Sequence, residues 1–147
     1  MKVTIYTDGC CEPNPGPGTW AFICTSPYHE QCGHDENTTN NRMEIMAVIQ
    51  AVEYAQQLSA TEIEVFSDSQ YVVKGFNFWS HPWKANNWTK LQDDQWVPVK
   101  NADLWKRLDK YRGKLKLKWI KGHDGNEYNE QADLLATEHY RNTFAVK

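Results

Sequence analysis

At 147 residues, with 40% hydrophobic and 24% charged residues and a formal charge of −3, the chain has the composition of one soluble domain over 1–147. No apolar run approaches the roughly 18 residues that a membrane-crossing helix needs. The opening Met1–Tyr6 lacks the charged, apolar and small-residue succession of a signal peptide, so a cytoplasmic protein with no membrane partner is expected.

The first strand begins at the second residue. Val3-Thr4-Ile5-Tyr6-Thr7 alternates with period 2 and is expected to stop at Asp8-Gly9. Asn14-Pro15-Gly16-Pro17-Gly18 is turn chemistry, because proline fixes φ and glycine permits positive φ. A second strand follows around Thr19–Thr25, with Trp20, Phe22 and Cys24 on one face, and a third near Tyr28–His34. Their short connections predict an antiparallel meander. Residues 41–58 switch to helical spacing, and Met43, Met46, Ala47 and Leu58, with Ile49 or Gln50 and Val52 or Glu53, form an apolar stripe. Glu62–Ser67 reads as a strand feeding a short helix near Ser69–Gly75. Beyond a Trp-rich stretch lies a helix near 101–112. Leu115–Lys121 alternates as a strand, with Leu115, Leu117 and Trp119 on one side, and Trp105 and Trp119 read as core. After a Gly122–Gly125 loop, a last helix runs from about Glu127 to Tyr140. This order describes an α/β fold with helices packed on a mixed sheet.

The cysteines, Cys10, Cys11, Cys24 and Cys32, include no C-x-x-C pair and have no histidine at zinc-ligand spacing, so they read as free thiols. Charge is unevenly spread. Residues 72–121 hold twelve of the sixteen basic residues and net +8, while the rest of the chain nets −11. One surface for a polyanion and another for cations would explain this; a solvated, lysine-rich helix and strand would too.

Four acids occupy pointed places: Asp8 and Asp68 at strand ends, Glu44 at the start of the long helix, and Asp133 on the last helix. Adjacent central strands would bring Asp8 and Asp68 together at the carboxyl edge of the sheet, where α/β proteins place ligands. Clustered carboxylates repel one another, and divalent cations relieve this; oxygen donors alone favour Mg²⁺ or Mn²⁺ over zinc. Each acid also has a local explanation. Asp8-Gly9 makes a turn, Asp68 a helix cap, Asn41-x-x-Glu44 a capping box, and Asp133 complements its helix dipole.

Six motifs in order resemble the type 1 ribonucleases H. They are Thr7-Asp8-Gly9 with Asn14-Pro15-Gly16-Pro17-Gly18, Thr38-Thr39-Asn40-Asn41-Arg42-Met43-Glu44, Ser67-Asp68-Ser69-Gln70-Tyr71-Val72, Lys100-Asn101-Ala102-Asp103-Leu104-Trp105, Lys121-Gly122-His123, and Asn129-Glu130-Gln131-Ala132-Asp133. The resemblance covers roughly residues 1–141 and implies a ribonuclease H-like fold. Its five-stranded mixed sheet has strands 1–3 antiparallel and strands 4 and 5 parallel to strand 1. It further implies a monomeric endonuclease that hydrolyses the RNA strand of RNA/DNA hybrids without sequence preference, leaving 5′-phosphate and 3′-hydroxyl ends. Asp8, Glu44, Asp68 and Asp133 would hold two Mg²⁺ ions, with Mn²⁺ as an alternative. His123, on a glycine-flanked loop, would assist proton movement or product release, a role suited to a side chain that titrates near neutrality.

Substrate contacts follow from the same resemblance. Asn14, Asn40, Asn41 and Gln70 match positions that contact the minor groove or ribose hydroxyls, a task suited to amides that both donate and accept. Thr39 and Asn101 match a phosphate pocket, while Trp79 and Trp83 match a DNA-strand channel. The chain departs from many relatives in several places. Trp83-Lys84-Ala85-Asn86-Asn87-Trp88 stands where they carry a strongly basic protrusion, Asp93-Asp94 adds acid, Asn37 replaces an arginine, and Asp124 follows His123. Weaker hybrid affinity than in those relatives is expected.

Overall fold

In a computed structural model that describes residues 1–145, strands β1 (Lys2–Cys11), β2 (Gly16–Thr25) and β3 (Tyr28–Thr38) form the expected antiparallel meander. Helix α1 (Asn40–Gln57) leads to β4 (Glu62–Ser67), which pairs in parallel with β1, and β7 (Leu115–Trp119) pairs in parallel with β4. The resulting five-stranded sheet has the order β3-β2-β1-β4-β7. Between β4 and β7 run α2 (Gln70–Lys74), a π-helical turn (Gly75–Trp79), α3 (Ser80–Ala85), a hairpin of β5 (Thr89–Gln92) and β6 (Gln95–Pro98), and α4 (Ala102–Asp109). Helix α5 (Glu127–Tyr140) follows β7.

Side-chain alternation sorts the sheet into two faces. Val3 and Ile5 of β1 and Phe22 and Cys24 of β2 join Ile45, Val48, Ile49 and Val52 of α1 in the main core. On the opposite face Tyr6 stacks on Phe66, with centroids 5.0 Å apart, and meets Tyr128 of α5 at 5.3 Å. The stripe of α1 is broader than its spacing predicts. Ile45, Val48, Ala51 and Ala55 are buried too, because the helix lies across β1–β4 and also against α4. Deleting one of these fully buried aliphatic side chains costs about 2–5 kcal/mol, so this face fixes where the helix starts.

Several local expectations are corrected. Strand β1 does not end at Asp8-Gly9 but runs on to Cys11, because β2 continues to pair with it through Cys11↔Gly18. The Trp-rich stretch contains a hairpin whose two-residue turn, Asp93 and Asp94, takes positive φ at both positions (50° and 62°). Helix α4 is shorter than 101–112, since Asn101 stands before it with φ 63° and Lys110–Gly113 turns away. Trp105 is core, but Trp119 is 47% exposed, because it ends an edge strand beyond the covering elements. All four cysteines are free thiols.

Candidate active site and strand-binding surface

The site begins where the parallel ladder stops. The last register pair of β1 and β4 is Thr7↔Ser67, so Asp8 and Asp68 are the next residues on neighbouring parallel strands. Parallel register partners project to the same face, which sets the two carboxylates side by side. Glu44 arrives from α1. A Cβ at Gly9 would lie 2.6 Å from the Glu44 nitrogen and 2.5 Å from the Met43 carbonyl carbon, so only glycine lets the helix approach this closely. Ligand oxygens of Asp8, Glu44 and Asp68 fall within 4.8 Å of one another. Asp133, the seventh residue of α5, stands outside that tight group of three but near enough for its carboxyl to raise Asp8.

The local explanations for Glu44, Asp68 and Asp8 fail. Thr39, not Asn41, caps α1: its Oγ1 accepts from the Arg42 backbone nitrogen at 3.1 Å, and Glu44 is the fifth helical residue. Ser69, not Asp68, caps α2 by accepting from Val72 N at 3.2 Å. Asp8 lies in a strand rather than a turn.

Electrostatically the cluster is strained. Burial, then the charge of Asp68, then the hydrogen bond and charge of Asp133 push Asp8 up to about 9, against the pull of the Gly9 backbone N–H. Burial and the charges of Asp8 and Asp68 hold Glu44 well above the ordinary carboxyl range. Asp68 is raised by burial and by Asp133, while the Asn129 side chain and the His123 charge favour its ionised form. Glu44 Oε1 is buried with no hydrogen-bond partner among the described residues. A buried, unpartnered carboxylate oxygen facing other carboxylates is costly unless a cation meets it. The donors are hard oxygens, suited to a small divalent ion. His123 is exposed, has φ 55°, and follows Gly122, where a Cβ would meet Asp68 Oδ2 at 2.8 Å.

Other predicted site residues fall into a connected band. Asn14 Oδ1 accepts from the Asn40 backbone nitrogen at 3.1 Å, joining the turn to the start of α1, where Asn40 and Asn41 are exposed. Arg42 Nη1 donates to Asn101 Oδ1 at 3.2 Å, and Asn101 Nδ2 donates to the Tyr71 hydroxyl at 3.0 Å. Thr39 and Arg42 share a cleft of about 380 Å³ with Pro15, Gly16, Asn37 and Thr38. Trp79 packs edge-on to Tyr71 at 6.0 Å and tilted to Trp83 at 6.1 Å, and both tryptophans line a cleft of about 240 Å³ with Lys90 and Lys100. Gln70 is exposed two residues beyond Asp68. Arg42, Tyr71 and Asn129 were not singled out from sequence, although all three lie inside the motifs quoted above; what their letters could not show was which side chains they touch.

A mixed α/β sheet whose two central parallel strands deliver carboxylates, with further carboxylates from helices on both faces, defines a protein with a cation-holding acidic centre. The chain belongs to the ribonuclease H family: the family model described as RNase H matches residues 1–141. It is 50% identical to "Ribonuclease HI" of Caulobacter vibrioides, over 95% of this chain and 93% of the relative, and 46% identical to "Ribonuclease H" of Chromobacterium violaceum, over 93% of each. A solved structure of LC9-RNase H1, described as a type 1 RNase H with the type 2 active-site motif, is similar with a TM-score of 0.78. The identity there is 25%, covering 93% of this chain and 71% of that one. The chain is thus a hydrolase of bacterial ribonuclease HI type. Among the described residues no helix is long and apolar enough to cross a membrane.

Proposed function

We propose that the protein is an endonuclease that hydrolyses the RNA strand of RNA/DNA hybrids, using Asp8, Glu44, Asp68 and Asp133 to hold two divalent cations. Mg²⁺ is the ion favoured by the hard donor set, and Mn²⁺ would serve as well. The observation that carries this reading is the close group of carboxylates that includes the buried, unpartnered Glu44 Oε1. When bound, two such cations supply positive charge for the attacking and leaving oxygens of an in-line displacement, which yields a 5′-phosphate and a 3′-hydroxyl.

The chain's own groups divide the remaining work. Asn129 is buried with its Nδ2 unpartnered among the described residues, and its side chain favours the ionised form of Asp68. His123 sits on an exposed loop near enough to Asp68 to favour its charge, which suits a group that takes up a proton or eases product departure. Asn14, Asn40, Asn41 and Gln70 present amides to the minor groove, where the 2′-hydroxyl distinguishes RNA from DNA. Thr39 and Asn101, tied together through Arg42, receive a phosphate of the DNA strand, and Trp79 and Trp83 wall its path. Phosphate contacts of this kind carry no sequence information, so cleavage is sequence-nonspecific. The 147 residues act as one catalytic unit, as a monomer in the cytoplasm.

The test is digestion of a hybrid labelled on each strand in turn, with Mg²⁺. RNA-strand products bearing 5′-phosphates, absent with chelator and with Asp8→Asn, are expected. Equal cutting of double-stranded DNA, or an uncut hybrid, overturns the proposal.

A further inference from the structure

We infer that the slot between Phe78 and Trp119 is a stacking site for an unpaired nucleobase of the RNA strand, next to the carboxylate centre. This rests on the hybrid-cleaving function proposed above and adds a subsite to it. The slot has a volume of about 300 Å³ and is lined by Gln70, Val73, Lys74, Phe78 and Trp119. That volume is at the lower end for small-ligand sites and is ample for one planar base.

Phe78 is 66% and Trp119 47% exposed, the first on a helical turn and the second at the end of an edge strand. Two large aromatic side chains converging on one open slot form an exposed apolar patch of the kind that marks an interaction site. The π-helical turn has a part in this arrangement. Across Gly75–Trp79 it buries Phe76 in the core and packs Trp79 against Tyr71, while Phe78 remains in solvent. Such turns often occur at functional positions.

Continuity with the acidic centre selects the occupant. Trp119 Nε1 donates to the Asp68 backbone carbonyl at 3.2 Å, and Gln70 is two residues beyond Asp68. A strand lying over the carboxylates therefore passes beside the slot, and the strand lying there is the one to be cut. Lys74 borders the slot and Lys121 stands two residues beyond Trp119. Both are exposed, and neither forms an ion pair among the described residues. Aromatic faces with nearby lysines take bases and phosphates of single strands irrespective of sequence. A base paired in the duplex is already stacked, so an unpaired nucleotide enters at the lowest cost.

The experiment compares a blunt hybrid with hybrids whose RNA strand carries three unpaired nucleotides at its 5′ or its 3′ end. Binding is measured in chelator so that no strand is cut. The wild type is expected to bind one of the two extended hybrids about tenfold more tightly than the blunt one, a gain typical of one stacked base. Phe78→Ser should lose that gain, Phe78→Trp should keep it, and an abasic extension should not produce it. With Mg²⁺, Phe78→Ser should cleave the blunt hybrid at the wild-type rate, and its melting temperature verifies the fold. No gain at either end, an undiminished gain in Phe78→Ser, or an equal gain from a DNA-strand extension overturns the inference. So does a concentration-dependent dimer abolished by Phe78→Ser, which would make the slot a contact between copies. Failure of the wild type to cut the blunt hybrid would instead overturn the proposed function.

Discussion

The carboxylate pole and the aromatic arm of this molecule are built in opposite ways. Asp8, Glu44 and Asp68 are fixed by two adjacent parallel strands within the sheet and by a helix seated through Gly9, so their positions follow from the core itself. The arm from Gly75 to Pro98 is made of short helical pieces and a two-stranded hairpin outside the main sheet, with Leu91 and Trp96 exposed. One region sacrifices stability to gather like charges; the other keeps little buried surface and carries four of the seven tryptophans. Chemistry needs positions held to a fraction of an ångström, whereas sequence-independent strand binding tolerates looser contacts.

The largest effects should come from the pole. Glu44→Gln is expected to lower kcat on a hybrid by on the order of 10³-fold, with Kd in chelator changed less than about tenfold. A comparable loss of binding would show that Glu44 holds substrate rather than cations. In the arm, Trp79→Ala should lower kcat/KM about tenfold, chiefly through KM, since a stacked aromatic is worth about 1–3 kcal/mol. A fall confined to kcat would move Trp79 into the chemistry.

The third contrast is in pH. Asp8 is pushed up to about 9 from an ordinary 3.8, and Glu44 is raised as well. A raised acid contributes full stability below its unfolded pKa and loses it as pH climbs through the folded value. Without metal, the melting temperature should therefore fall between pH 5 and pH 9, and Mg²⁺ should restore more of it at pH 8 than at pH 6. A flat profile would mean that the carboxylates do not repel. The smallest effect belongs to the hairpin tip: Asp93→Lys should tighten hybrid binding a few-fold at low salt and little at high salt. Unchanged binding in filter assays at both salt concentrations would place the tip away from the duplex.

The meander, the long helix and the order of elements could be read from period and turn chemistry, because β1–β3 and α1 are long and regular. The four acids were recognisable from their motifs, yet spacing alone could not decide between ligands and caps. That choice depends on tertiary facts: Thr39 and Ser69 already cap the helices that Glu44 and Asp68 would otherwise have served. The hairpin escaped notice because Asp93-Asp94 is a weaker turn signal than Asn-Gly, and its strands are only four residues each. Trp119 misled because alternation marks a face but not where along a strand the cover ends. The roles of Arg42, linking Thr39 to Asn101, and of Asn129, whose side chain favours the ionised form of Asp68, depend on distant segments coming together, which no local pattern encodes.

In the proposed function, Asp8, Glu44, Asp68 and Asp133 are held together against their own repulsion to bind divalent cations. Calorimetric titration of Mg²⁺ into wild type and Asp8→Asn at pH 8, paired with their melting temperatures in chelator, is the decisive measurement. Asp8→Asn should melt higher than wild type without metal and lose the cation binding that wild type shows. An Asp8→Asn protein that melts no higher and still binds Mg²⁺ as wild type does would contradict it.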